Sequence, residues 1–267
     1  MSTAPRKKPH VVREETDPQD SSKTGFARAY ELGLRRFRHL AMALTLLSLL
    51  GLVAGLLGLS IVPGIYVVAG AFRWAESFPE FTGHLIRGTS IVLGFLACGF
   101  TALAVVPMGN LLVRPLLKPF RGPAYSTEVF GWYVHNVLTY SLRYTFLEWV
   151  TPTPFNQFFY RRMGMKIGKR VELNTTNISD PAFFTLEDGV TIGGSATLLA
   201  HYAMGGYLII APVVIRKGAT IGLRAVVMGG VEIGEGAKVL PNSVVMPKTV
   251  IPAGETWAGV PARRYED

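Results

Sequence analysis

The chain of 267 residues is 49% hydrophobic and only 17% charged, with a mean hydropathy of +0.31, a balance too apolar for an ordinary soluble domain. Its single cysteine, Cys98, excludes an internal disulfide, and no second thiol or histidine cluster stands near it to hold zinc. The net charge of +9 gathers beside apolar runs, which points to anionic lipid headgroups rather than nucleic acid.

Residues 1–25 are polar, charged and without periodicity, and read as a disordered basic tail. Residues 26–121 read as a two-helix transmembrane hairpin. Arg28, Arg35, Arg36, Arg38 and His39 precede residues 40–62, which hold no ionisable side chain. At ~1.5 Å per residue such a run crosses a hydrocarbon core of about 30 Å. A second run, residues 88–113, is equally uncharged and is followed by Arg114, Lys118 and Arg121. The connection carries Arg73 and Arg87 offset by Glu76 and Glu80, so the basic excess on the outer flanks predicts an integral membrane protein. Both termini and everything after Val113 are then cytoplasmic. No signal peptide is read here, because a long basic stretch precedes the first run.

Residues 122–160 are crowded with aromatic side chains, among them Phe130, Trp132, Tyr133, Tyr140, Tyr144, Trp149 and Phe155. Rings with polar tips favour the headgroup zone, which predicts an interfacial helical segment. A helix packed on the downstream domain is compatible with the same pattern.

Residues 161–267 carry a repeat. Ile215, Ile221, Val227, Ile233, Val239, Val245 and Ile251 recur every six positions, with Trp257 completing the series. Mostly small residues follow four positions after each: Ala219, Ala225, Val231, Ala237, Ser243 and Thr249. Each hexad is one short strand and a turn, and three hexads make one triangular coil stacked on the next by parallel pairing. Leu186, Ile192 and Leu198 keep the step upstream until it breaks at residues 199–208, which read as an inserted loop containing His201. Insertions in repeat proteins tend to emerge on one, often functional, face.

The hexads at 221–226 and 233–238, loop residue His201 and the ending Trp257-Ala258-Gly259-Val260-Pro261-Ala262-Arg263 resemble the hexapeptide-repeat acyltransferases. The likeness covers about residues 160–264. The stretch 160–168 is also similar to the lead-in of membrane-attached domains that end certain amino-acid homopolymer synthetases. The resemblance implies an all-β domain, a left-handed parallel β-helix, preceded by the α-helical transmembrane hairpin. It implies an acyl-CoA-dependent O- or N-acyltransferase and a homotrimer with acetyl-CoA or another acyl-CoA as donor, bound in the groove between two β-helices. The acceptor follows from the anchor rather than the repeat: a hydroxyl or amine on a lipid-linked or envelope-directed molecule.

Of the histidines His10, His39, His84, His135 and His201, only the last lies in the repeat. Acyl transfer needs a base for the acceptor's proton, and a neutral imidazole suits that task near pH 7. His201 is therefore the candidate base, with Asp180 or Glu187 as the carboxylate orienting it. Asp180-Pro181 and Asp188-Gly189 are also turn dipeptides. By the resemblance, Ala225, Gly229, Gly230 and Ser243 would flank the pantetheine arm, while Lys217, Arg224, Lys248, Arg263 and Arg264 are candidates for the phosphates. His135→Ala, outside the coils, is expected to cost much less activity than His201→Ala. No metal is expected, since one histidine per domain cannot furnish a three-histidine zinc set. No nucleic-acid partner is expected either. The alternative is a non-catalytic trimeric membrane scaffold with His201 merely solvated.

Overall fold

The computed structural model describes residues 23–124, 126–205 and 207–266. The tail expected over residues 1–25 therefore lies outside the described residues up to residue 22. Helix α1 (Gly25–Arg36) leads into α2 (Arg38–Ala75), and α3 (Glu80–Val113) returns against α2. The two long helices touch at glycines: a Cβ on Gly64 would fall 2.6 Å from the Gly94 carbonyl oxygen and 2.2 Å from Cys98 Sγ. Only a hydrogen fits there, and small residues of this kind let apolar helices approach backbone to backbone. Both helices are long and apolar enough to cross a bilayer. No residue in the most apolar stretch of α2 is fully buried by protein, whereas a third of those in α3 are. The difference arises because α3 is the more extensively covered by the helices that follow.

The C-terminal domain is a left-handed parallel β-helix with three sheets as its faces. In the regular coils Ile215 pairs with Ile233 and Ile233 with Ile251, a rise of one coil per 18 residues. Thr220–Ile221 and Val226–Val227 stack in the same register on Lys238–Val239 and Val244–Val245. All seven aliphatics of the hexad series are buried, as are Ala219, Ala225, Val231, Ala237 and Ser243. Two inward residues per hexad thus fill a continuous interior. The corners fall at a left-handed φ every six residues, at Gly218, Arg224, Gly230, Gly236, Asn242, Lys248 and Gly254. Glycine adopts that conformation without a Cβ clash, whereas a branched or long residue is strained there. Arg224→Gly is accordingly expected to raise stability by about 0.5–1 kcal/mol, read as a higher unfolding temperature. A lower one would mean that the arginine side chain contributes more than its backbone costs.

One coil is longer. Leu186 pairs with Ile215 and Leu198 with Val227, both 29 residues on, so the insertion adds eleven residues. It is a β-hairpin, not the loop expected from the broken repeat: His201–Met204 pairs antiparallel with Tyr207–Ile210. Gly205, at φ +59°, supplies the left-handed conformation that tight hairpin turns require. Phe120–Gly122, from the segment after α3, adds a third strand by pairing with Tyr207–Ile210. That long-range partner is why the hairpin was not legible locally.

Helices α4 (Phe130–Arg143) and α5 (Pro154–Met163) join the two halves. Pro154 opens α5, Thr153 Oγ1 accepts from the Phe155 amide at 3.2 Å, and Gly164 ends the helix at φ +110°. Its donors close the exposed edge of the first coil. Asn156 Nδ2 reaches the Leu173 carbonyl at 2.9 Å, Gln157 Nε2 that of Val171 at 2.9 Å, and Tyr160 Oη that of Thr176 at 3.1 Å. An unpaired strand edge would otherwise offer itself to other chains. Helix α4 is the packed helix of the two readings allowed for the aromatic segment: Val134, Leu138 and Leu142 are buried between α3 and the coils. Exposed rings remain beside it, including Phe130, Tyr144 and Trp149.

Candidate functional site

The strand Ile178–Ser179 ends at Asp180, whose φ of +63° turns the chain into a single 3₁₀ turn, Pro181–Phe183. The hairpin starts one residue after the buried Ala200, and its first residue is His201. The two meet: His201 Nδ1 lies 2.6 Å from Asp180 Oδ2. The Asp180 side chain is 0% exposed and that of His201 26%, so a buried carboxylate supports a ring that reaches solvent. Oδ2 also accepts from the Ala200 amide at 3.1 Å. Oδ1 accepts from Trp132 Nε1 at 2.6 Å and Asn136 Nδ2 at 2.8 Å, both on α4. The Trp132 ring stands edge-on to the imidazole, 5.0 Å between centroids and inclined by 70°.

Burial by itself would push the Asp180 carboxyl up. The bond and charge of His201, followed by the bonds from Asn136 and Trp132, outweigh it and hold the carboxyl below its ordinary value. An ionised carboxylate only accepts, so His201 carries its proton on Nδ1 and presents the Nε2 lone pair. That is the arrangement of a base with an orienting acid.

Glu187 is not brought to this pair. It binds Arg216 Nη1 at 2.8 Å and accepts from the Lys217 amide at 3.0 Å, and Arg216 reaches Glu232 at 2.7 Å as well. The open groove beside Glu187, about 530 Å³, is lined also by Lys166, Gly168, Asp188 and Lys217 and shares no residue with the Asp180–His201 pair. Its size therefore says nothing about the chemistry at His201.

The residues expected along the pantetheine separate. Ala225 and Ser243 are buried inside the coils, so their side chains line the stacked core and not an outer groove. Ser243 Oγ accepts from the Gly259 amide at 3.1 Å and ties down the chain end. Gly229 lies beneath the hairpin, where a Cβ would fall 2.5 Å from the Ala200 carbonyl oxygen and 3.1 Å from the Tyr202 ring. Gly230, Arg224 and Lys248 are corner residues at positive φ. Lys217, Arg224, Lys248 and Arg263 are exposed. Arg263 Nη1 reaches the Ala262 carbonyl at 3.2 Å, and Arg264 lies 3.7 Å from Glu255. No group of three or more His, Cys, Asp or Glu that could hold a metal occurs among the described residues.

His135, outside the coils, has a buried place of its own in the fold. It is 0% exposed, with Nδ1 2.7 Å from Asn110 Oδ1, while Nε2 accepts from the Ala182 amide at 3.5 Å. Asn110 Nδ2 in turn donates to the Met163 carbonyl at 3.1 Å. Burial pushes His135 down to about 4, against a smaller upward pull from Asp180. A histidine that folds neutral must be deprotonated on folding once the unfolded chain charges it. Its contribution is therefore complete above pH 6.5 and is lost as pH falls from there towards about 4. The expected loss is on the order of 3 kcal/mol. Unfolding temperature against pH should show this slope in the parent and a flatter one in His135→Gln; identical slopes would contradict it.

Comparison with known proteins bears on the repeat domain. No family model matches the chain. Serine acetyltransferase of Escherichia coli (strain K12) is 37% identical over 99 residues, covering 37% of this chain and 34% of that protein. Delta-poly-L-ornithine synthetase of Acinetobacter baumannii is 29% identical over 106 residues, 40% of this chain and 8% of that protein. The chain thus spans about a third or less of the length of these relatives. A hexapeptide-repeat acetyltransferase from Vibrio cholerae, solved with acetyl coenzyme A, superposes with a TM-score of 0.39 and 22% identity, covering 51% of this chain and 87% of that one. With its 18-residue coils, the domain is a hexapeptide-repeat β-helix of the kind found in acetyltransferases.

Proposed function

We propose that the chain is a membrane-anchored acyltransferase that moves an acyl group, acetyl in the first instance, from coenzyme A to a hydroxyl or amine of a lipid-linked or envelope-directed acceptor. The observation that carries this reading is the 2.6 Å contact between His201 Nδ1 and the fully buried Asp180 carboxylate. The match to serine acetyltransferases supports it. In the reaction, Nε2 of His201 takes the acceptor's proton as its oxygen or nitrogen attacks the thioester carbonyl. The tetrahedral intermediate then expels the coenzyme A thiolate, which recovers a proton from the imidazolium. Asp180 keeps the ring in the useful tautomer and steadies the imidazolium formed in passing.

The exposed Lys217, Arg224, Lys248 and Arg263 are proposed for the phosphates of coenzyme A, in a groove between copies of a homotrimer. Helices α2 and α3 are the proposed anchor, and the basic residues on their outer flanks support a cytoplasmic side for the coils. A membrane anchor suits an acceptor that is itself held in the bilayer.

The test uses membranes from cells expressing the full chain, with acetyl-CoA labelled in its acetyl group. Label should pass into the lipid or glycan fraction, and calorimetry on the detergent-purified trimer should show acetyl-CoA binding. A chain that neither binds acetyl-CoA nor transfers label is the scaffold instead. A reporter fused after Asp267 that is accessible only from outside would reverse the topology.

A further inference from the structure

Helix α4 carries Trp132, His135, Asn136, Tyr140 and Arg143 along one face, at the spacing of successive helical turns. Together they meet residues 177–182. Arg143 reaches Asn177 Oδ1, Tyr140 Oη lies 2.7 Å from Ser179 Oγ, Asn136 and Trp132 hold Asp180, and His135 accepts from Ala182. Resting on the acyltransferase reading, we propose that Trp132 and Asn136 are positioning residues for His201, acting through Asp180. The carboxylate is then set by the helix docked on the apolar hairpin, and not by the coils alone.

The bonding of Asp180 leaves it one useful orientation. With Oδ1 filled by the indole N–H and the Asn136 amide, Oδ2 is left for His201 and the Ala200 amide. Removing an α4 donor frees the carboxylate to turn and weakens the bonds that keep it ionised in a buried place. The ring of Trp132 also borders the imidazole, so the indole both packs His201 and donates to its partner. Helix α4 cannot slide to compensate, because its neighbours are notched to it. A Cβ on Gly109 of α3 would lie 3.3 Å from Leu138 Cδ1, and one on Gly99 2.1 Å from the Phe146 ring just beyond α4. The register of α4 on α3 therefore fixes where Trp132 and Asn136 stand.

Trp132→Phe, which keeps a ring beside His201 but deletes the donor, and Asn136→Leu are measured in the full chain by transfer of labelled acetyl groups in membranes. Each is expected to lower kcat about 10-fold, with KM for acetyl-CoA and the trimer unchanged. In an Asp180→Asn background, Trp132→Phe should add no further loss, a coupling that a merely structural role would not show. Parental rates in both variants, beside an inactive His201→Ala, overturn this inference alone. Losses in the Asp180→Asn background as large as those in the parent overturn it as well. A parent chain that transfers no label overturns the acyltransferase reading and this inference with it.

Discussion

His201→Ala is expected to lower turnover by about 10²- to 10⁴-fold while leaving coenzyme A affinity and the oligomeric state unchanged. The ring is only partly covered, and Asp180 keeps the Ala200, Trp132 and Asn136 donors when it is removed, so the fold survives, at some cost in stability because a buried carboxylate loses one partner. In the proposed reaction what is lost is the base, needed as the acceptor's proton leaves and idle when the donor merely binds. Turnover at saturating acetyl-CoA and calorimetry on the same preparation separate the two. A joint loss of rate and affinity would make His201 a ligand-positioning residue, and an unchanged rate would remove it from the reaction.

Asp180→Ala should have the largest effect on folding, about 3–5 kcal/mol of lost stability, read as a much lower unfolding temperature. Four donors converge on the carboxylate: the Ala200 amide, His201 Nδ1, Trp132 Nε1 and Asn136 Nδ2. An alanine leaves all four facing a gap, and an orphaned buried donor loses its full desolvation free energy. Asp180→Asn keeps the shape and should unfold at a temperature nearer that of the parent. Its turnover should still fall by about 10²- to 10⁴-fold, because an amide N–H facing His201 Nδ1 forces the ring's proton onto Nε2. Unchanged thermal unfolding of Asp180→Ala would mean that the cluster contributes little to the fold.

The β-helix was legible in the amino-acid sequence because its periodicity is local. An inward aliphatic every six residues from Ile215 to Ile251 is satisfied coil by coil, and each hexad meets the same neighbours. The two long helices were legible for a similar reason, since an uncharged run long enough to cross a bilayer is read from composition before any tertiary contact forms. His201 stood out by being the single histidine of the repeat. Its surroundings did not, because they depend on segments distant along the chain. The choice between Asp180 and Glu187 turned on a carboxylate's position relative to the inserted hairpin, His201–Ile210, that Phe120–Gly122 helps to hold. Trp132 was one of many rings in an aromatic-rich segment and Asn136 was not singled out, and the only local signal was their spacing of one turn with His135 between them. Side chains four residues apart share a helix face whatever they face, so the spacing predicts a stripe but not its partner. Packing of α4 between α3 and the coils supplied that partner, joining to one buried carboxylate two donors that precede it by 48 and 44 residues.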